Sequence, residues 1–361
     1  MLQIKLFKII FRVVIIILLA VFLAFGGFLA WATFTAYHPD AVETVPIKGE
    51  GLPVSAMRDT ISLITWNIGY AGLGQEMDFF YEGGKRVRPA ASEYQRYLNG
   101  VLGSLAEVDR PDFVLIQEID KKAKRSYYKD EVALFDSLFS GYYSSYATNY
   151  DVGFVPVPIT EPMGQVHAGI TILGRYRSDD ARRVAFPSAY AWPKRLFMLD
   201  RCFLITRYKL TSGKELILIN THNSAFDDAA DMRKQELALL RKTMLDEFDS
   251  GNYVIVGGDW NQNPLPFDPA AITDGNKAYR ITPSIPANFM PDGWKWAFDP
   301  KRATNRNVNE PYQKGRTGTT IIDFFVLSPN MKMVEVKTIP QGFLFSDHQA
   351  VQLKVSFPKN K

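Results

Sequence analysis

Six stretches of the chain stop at, or open from, a residue that can do chemistry. Residues 61–66 end at Asn67, 113–117 at Glu118, and 216–221 at His222. Residues 253–256 run through Gly257-Gly258 to Asp259 and Asn261, and Pro264 then blocks continuation. Residues 320–322 lead into Asp323, and Ser346-Asp347-His348 opens a final alternating stretch, 349–357. Short apolar runs of this kind read as buried strands. One strand ending in an acid is common; six segments spread over three hundred residues predict a single rim lined by strand ends. At period two, Asp259 and Asn261 leave their strand on the same side. The glycine pair before them permits a sharp turn or a close approach. The pair suits gripping a water and a phosphoryl oxygen; the same residues would also suit an Asx turn after a strand.

The first 37 residues obey another rule. Lys5, Lys8 and Arg12 precede a stretch, 13–37, that carries no charge and is rich in Ile, Leu, Val, Phe and Ala. About 20 such residues suffice to cross a bilayer as a helix. Trp31 and Tyr37 stand near the far end, where amphipathic rings favour the interface. Cations before the run, with Asp40 and Glu43 after it, predict a cytoplasmic N-terminus (1–12), a transmembrane signal anchor (13–37) and an extracytoplasmic remainder, single-pass in the cell membrane. A cleaved signal peptide would have a shorter apolar region and a small-residue cleavage site. Residues 38–57, with Pro39, Pro46 and Pro53, read as an extended tether, and 58–358 as one α/β domain.

Of the net charge of +4, residues 51–361 carry +3. That is too little for a protein that holds nucleic acid mainly through its phosphates, and it permits an anionic substrate held locally. Cys202 is the only cysteine, so no intrachain disulfide forms; its apolar surroundings predict a buried thiol.

Between the runs, residues 70–89 are too long for a tight connection. Aromatics there stand beside Lys85, Arg86 and Arg88, a combination that fits a substrate with an apolar part and a phosphate, or a solvated cationic loop. Residues 93–107 and 227–250 read as amphipathic helices, the second stopped by Gly251. Residues 196–210 and 216–220 read as a hairpin, and 264–318 as loop facing a substrate.

Glu118 and Asn67 can offer oxygen to a hard cation such as magnesium, which keeps waters for a substrate phosphate. A histidine paired with a carboxylate, as His348 with Asp323, makes a general acid or base. Neither a G-x-S-x-G elbow nor a G-x-x-x-x-G-K-[ST] loop is present, which leaves a serine triad and nucleotide-driven phosphoryl transfer unsupported.

The ordered set T-W-N-I (65–68), I-Q-E (116–118), N-T-H-N (220–223), G-G-D-W-N (257–261), I-I-D-F-F (321–325) and S-D-H (346–348) resembles the endonuclease/exonuclease/phosphatase superfamily. The resemblance implies a four-layered α/β sandwich of two mixed sheets flanked by helices. It also implies metal-dependent hydrolysis of a phosphate ester with magnesium, or manganese in its place. Glu118 would be the principal metal ligand, with Asn67 near it and Asp347 as a second carboxylate. Asp259 and Asn261 would orient the attacking water and a phosphoryl oxygen. His222 would contact the phosphate, with Asn223 beside it, and His348 would be the catalytic imidazole set by Asp323. The substrate classes that fit are a phospholipid head group, nucleic acid or a small ester. The alternatives are an extracytoplasmic nuclease and a binding protein that keeps the fold without turnover. No protein partner is inferable. Trp260 stands where the family commonly has Phe, and the 70–89 insert is not a general family feature.

Overall fold

The computed structural model describes residues 2–187, 190–225, 230–275 and 279–358. In chain order the elements are α1 (Leu2–Phe34), β1 (Val42–Thr44), β2 (Ile47–Gly49), β3 (Thr60–Asn67), α2 (Ala91–Ala106), β4 (Phe113–Asp120), α3 (Glu131–Leu138), β5 (Tyr143–Val155), β6 (Gly164–Gly174) and β7 (Asp180–Ala185). Then come β8 (Cys202–Lys209), β9 (Glu215–His222), α4 (Ala230–Asp249), β10 (Tyr253–Asp259), β11 (Lys295–Ala297), β12 (Asn305–Arg306), β13 (Thr319–Thr320), β14 (Asp323–Leu327), β15 (Lys332–Thr338) and β16 (Val351–Ser356).

Two seven-stranded mixed sheets form, in the orders β15-β16-β3-β4-β6-β5-β2 and β1-β7-β8-β9-β10-β14-β11. Each has a parallel pair at its centre, β3 with β4 and β9 with β10. Parallel neighbours need a crossover, and α2 and α4 supply it. The two sheets pack face to face. Leu63, Leu115 and Ile172 of the first meet Leu204, Leu218, Ile255 and Phe325 of the second, and Cys202 is buried among them. Alternate residues face outward: Ile64, Trp66, Val114 and Ile116 pack under Val101 and Leu105 of α2 and Val132 and Phe135 of α3. On the far side Val254 and Val256 pack under Leu237, Leu240 and Met244 of α4. The order is helix, sheet, sheet, helix, the layering that the motif set implied.

Parity places the site. The faces that carry residues 63, 115, 218, 255 and 325 inward also carry Asn67, Gln117, Asn220, His222, Asp259 and Asp323 inward, where the apolar core gives out.

Three expectations change. Residues 38–57 are not a free tether: β1 pairs with β7 and β2 with β5, so the stretch adds an edge strand to each sheet. Its Val45 is buried and Ile47 packs on the inter-sheet core, which is reason enough for it to bind. Residues 194–197 form a short 3₁₀ turn, and the strand begins only at Cys202. Residues 70–89 are packed rather than loose, because Tyr70, Leu73 and Met77 bury against Tyr94, Tyr97 and Leu98 of α2. The helix expected over 227–250 is seen from Ala230, and residues 227–229 lie outside the described residues.

Among the described residues one helix, α1, is long and apolar enough to cross a membrane. It includes the three N-terminal cations and extends to Phe34.

Candidate active site

At the rim, Asn67 ends β3, His222 ends β9, Asp259 ends β10 and Asp323 begins β14. Gly258 makes this approach possible: at φ 149° its ideal Cβ would lie 2.0 Å from the Thr221 carbonyl oxygen of the neighbouring strand. Glu118 and Asn261 reach the site through left-handed backbone, at φ 49° and 51°. The Glu118 conformation coincides with a register shift between Ile116 and Ile119 on β4. Such a bulge re-aims a side chain, and here it turns toward the cleft a residue that parity would turn away.

Asn67 holds two acids together. Its Nδ2 donates to Glu118 Oε1 at 3.2 Å and to Asp259 Oδ2 at 3.0 Å. Its Oδ1 accepts from the Gly69 N–H at 2.9 Å. Asn67 therefore presents its NH2 to the acids and its oxygen to the Gly69 N–H. His222 Nε2 lies 3.6 Å from both Glu118 Oε1 and Asp259 Oδ2. Asn261 donates its N–H to Asp259 Oδ1 at 2.9 Å and its Nδ2 to the Asn223 carbonyl at 2.8 Å. Asn223 thus meets the site through its backbone, and its own Nδ2 is buried with no partner among the described residues.

His348 Nδ1 and Asp323 Oδ2 are 2.8 Å apart. The other ring nitrogen, Nε2, is 3.8 Å from Asp259 Oδ2 and from Asp347 Oδ2. Asn305 Nδ2 lies 3.0 Å from it. Arg280 donates to Asn305 Oδ1 at 2.7 Å, which fixes the amide with its NH2 toward His348. That contact describes a neutral ring protonated on Nδ1. The charges pull the other way. Burial lowers the basicity of His348, but Asp323, Asp347 and Asp259 outweigh it and hold the ring at about 10. A cation held among the acids would remove the bias toward imidazolium and leave the neutral ring that the Asn305 contact describes. Burial, with Glu118 adding to it, pushes Asp347 up to about 7; His348 tempers the shift. Burial likewise pushes Asp323 up to about 6 against the pull of His348. His222 is driven well down by burial and by the positive charge of Arg201, His348 and Arg125, so its ring is neutral.

Four carboxylates around two imidazoles suit a hard cation, because unscreened they repel one another. The ligand atoms of Asp259, Asp323 and His348 fall within 4.8 Å of one another. Asp323 and His348 are already bonded to each other, so Glu118, Asp259 and Asp347 would be the acids left to hold it.

These groups form one end of a cleft of about 1040 Å³ including its open mouth. Glu118, His222, Asp259, Asn261, Asp347 and His348 all line it. Lys85, Arg86 and Arg88 do not. Arg86 pairs with Glu93 at the start of α2, and Arg88 lies 3.7 Å from Glu161 and donates to the Lys124 carbonyl at 3.2 Å. The aromatic half of the insert does reach the cleft, through Tyr70, Phe79 and Tyr81. Its cations come instead from Arg125, Arg201 and Arg280. Arg125 is buried, paired with Asp120 at 2.9 Å, and lies 3.7 Å from the centre of the Tyr70 ring. No local pattern marks these arginines or Asn305; only the fold brings them in.

The model of the endonuclease/exonuclease/phosphatase family matches residues 64–348. The chain belongs to this family. It is accordingly a metal-dependent hydrolase of phosphate ester bonds. Among solved structures it is similar to an endonuclease/exonuclease/phosphatase from Beutenbergia cavernae, with 16% identity, 83% of this chain and 72% of that one covered, and a TM-score of 0.56. It is also similar to D. rerio TDP2 complexed with single strand DNA product (16%, 83% and 100%, TM-score 0.53). A third is ANGEL2, a 2',3'-cyclic phosphatase (14%, 88% and 99%, TM-score 0.53). At these identities the likeness is one of fold. A search of curated proteins finds no match.

Proposed function

We propose that the chain is a membrane-anchored phosphoesterase whose catalytic domain lies on the extracytoplasmic face, with magnesium as its ion and manganese able to replace it. The observation that carries the catalytic part is the buried His348–Asp323 pair, with Nε2 directed at an acid cluster. The apolar helix α1, whose N-terminal turns carry Lys5, Lys8 and Arg12, supports the anchor and its orientation.

Glu118, Asp259 and Asp347 would hold the cation, which would supply positive charge beside the phosphoryl oxygens, and Asn67 locks the first two acids in place. Asp259 and Asn261 orient the attacking water. His222, neutral and buried, donates toward a phosphoryl oxygen. His348 moves the proton, and Asp323 keeps its tautomer and steadies the imidazolium. Arg201 and Arg280 flank the cleft and suit the anionic ester.

The test uses the full chain in detergent and bis-p-nitrophenyl phosphate, with magnesium and then with chelator. His348→Ala is expected to lower kcat by roughly 10²–10⁴, the usual weight of a general acid or base. Turnover that survives both chelation and His348→Ala refutes the reading. A nuclease reading is favoured by the TDP2 structure with single-stranded DNA, but the net charge of +3 beyond residue 50 gives it little electrostatic footing.

A further inference from the structure

Phe197 belongs to two places at once. Its ring stacks on Phe28 of α1, centroids 5.7 Å apart and 8° from parallel. The same residue lines the catalytic cleft, with Met198 and Leu199. Phe28 also meets Phe154 of β5 edge-on at 6.1 Å. Trp31, about one turn further on, lies so close to Gly153 that an added Cβ would come within 2.9 Å of the indole. Trp192 donates to Thr33 Oγ1 at 3.2 Å. The last turns of α1 are thus seated on the catalytic domain itself.

That seat fixes a depth. Phe28 lies six residues before the helix ends at Phe34, about 9 Å along the axis at 1.5 Å per residue. The charge-free part of the helix, 13–34, is about 33 Å long, close to a hydrocarbon core of about 30 Å. Counted from residue 13, Phe28 lies about 22 Å along the axis, so what packs on it is held about 8 Å inside the far face of the hydrocarbon. Trp192, which meets the helix, is 61% exposed, and Ile159, in the turn of the β5–β6 hairpin that carries Phe154, is 89% exposed. Arg195, in the turn that carries Phe197, adds positive charge suited to an anionic lipid surface. Met163, on the return of the same hairpin, lines the cleft. Phe197 thus joins the root of the helix to the cleft that holds the acids and histidines.

Resting on the phosphoesterase reading above, we infer that the cleft opens onto the bilayer and that its substrate is a phospholipid of that bilayer. The lipid's apolar part lies along Phe197, Leu199 and Met163 while its phosphate reaches the floor. Hydrolysis breaks one P–O bond; water gives its hydroxyl to phosphorus and its proton to the departing alcohol oxygen.

The full chain, reconstituted in vesicles of phosphatidylcholine, phosphatidylethanolamine and phosphatidylglycerol with magnesium, is to be followed by mass spectrometry of the lipids. Bis-p-nitrophenyl phosphate turnover is read in the same vesicles. Lipid cleavage is expected. In the double variant Ile159→Ser/Trp192→Ser it should fall at least tenfold, while the soluble ester is turned over as before. Soluble turnover with intact lipids overturns this inference alone, as does a variant that cleaves lipid at the native rate. Silence on both substrates overturns the phosphoesterase reading and this one with it. A spin label on Ile159→Cys gives a readout independent of activity, because Cys202 is buried and escapes labelling. Relaxation by oxygen dissolved in the lipid supports the placement; relaxation by a water-soluble agent alone overturns it.

Discussion

Glu118 marks where side-chain parity stops being a guide. Residues 113, 115 and 117 of β4 face the opposite sheet, so an undisturbed strand would turn Glu118 away from Asp259. The bulge and the left-handed φ reverse this, at a backbone cost on the order of 1 kcal/mol that the surroundings must offset. The carboxylate so placed adds to the burial that pushes Asp347 up to about 7. Glu118→Gln removes one charge from the cluster. In chelator the variant should melt higher than the native chain, by a few degrees for about 1 kcal/mol. With magnesium the order should invert: the native chain gains about 2.7 kcal/mol at a hundredfold excess over Kd, and the variant gains little. Thermal melts with and without chelator read both signs, and an equal gain from magnesium in the two proteins contradicts a cation held by Glu118. Asp259, His222 and Asp323 were legible because each ends or begins a regular strand. Asn67 was legible in place but not in orientation, because the direction of an amide depends on partners from three strands. Arg125, Arg201 and Arg280 were not legible, since a lone arginine in a loop looks the same facing a cleft or water.

The element most misread was the stretch after α1. Three prolines suggested a tether, yet β1 and β2 each add an edge strand, and Glu43 comes within 3.6 Å of the buried Arg183. A chain starting at residue 37 should stay folded, while one starting at residue 52 should melt several degrees lower and aggregate through its two bared edges. Scattering and thermal melts separate the cases, and equal behaviour means that the strands add nothing. Glu131, at the start of α3, joins three elements. It accepts from Tyr94 of α2 at 3.0 Å and from the Asp120 N–H of β4 at 2.8 Å. Burial, with Asp120 adding to it, holds its pKa well above the usual value. Below about pH 4.3, the unfolded value, both states are protonated and burial costs nothing. As pH rises the unfolded chain releases its proton more readily than the folded one, so stability falls until the folded group ionises too. Glu131→Gln keeps the shape, since the Tyr94 hydroxyl can turn to accept. Its stability advantage over the native chain should grow from pH 5 to pH 8 in urea unfolding; an advantage that shrinks with pH has the wrong sign.

At the scale of the molecule, function depends on two sheets meeting in one register. The strand order within each sheet was not legible, since hydrophobic runs say which residues are buried and not which strands are neighbours. What fixes the meeting is a polar seam beneath the site. Gln117 Nε2 donates to Asn220 Oδ1 at 2.6 Å across the sheets and to Thr65 Oγ1 at 3.0 Å along its own. Asn220 Nδ2 donates to the carbonyls of Ile116 and Thr171, at 3.0 and 2.8 Å. Both side chains are buried, and Asn220 lies two residues before His222. Asn220→Leu strips those carbonyls of their partner and leaves Gln117 short of an acceptor, at about 1–3 kcal/mol for each group left unsatisfied. Gln117→Leu does the converse to Asn220 Oδ1 and Thr65. The double variant removes the Gln117–Asn220 bond whole and should cost less than the sum of the single changes, by about 1 kcal/mol. Guanidinium unfolding of the four proteins measures that coupling. Catalysis should not follow it: with the seam gone the buried amides no longer hold β9 over β4, and the 3.6 Å between His222 and Glu118 is free to drift. The double variant should therefore recover stability without recovering turnover. Strictly additive costs, or full activity in the double variant, would show that the apolar core alone sets the register and that the seam merely fills it.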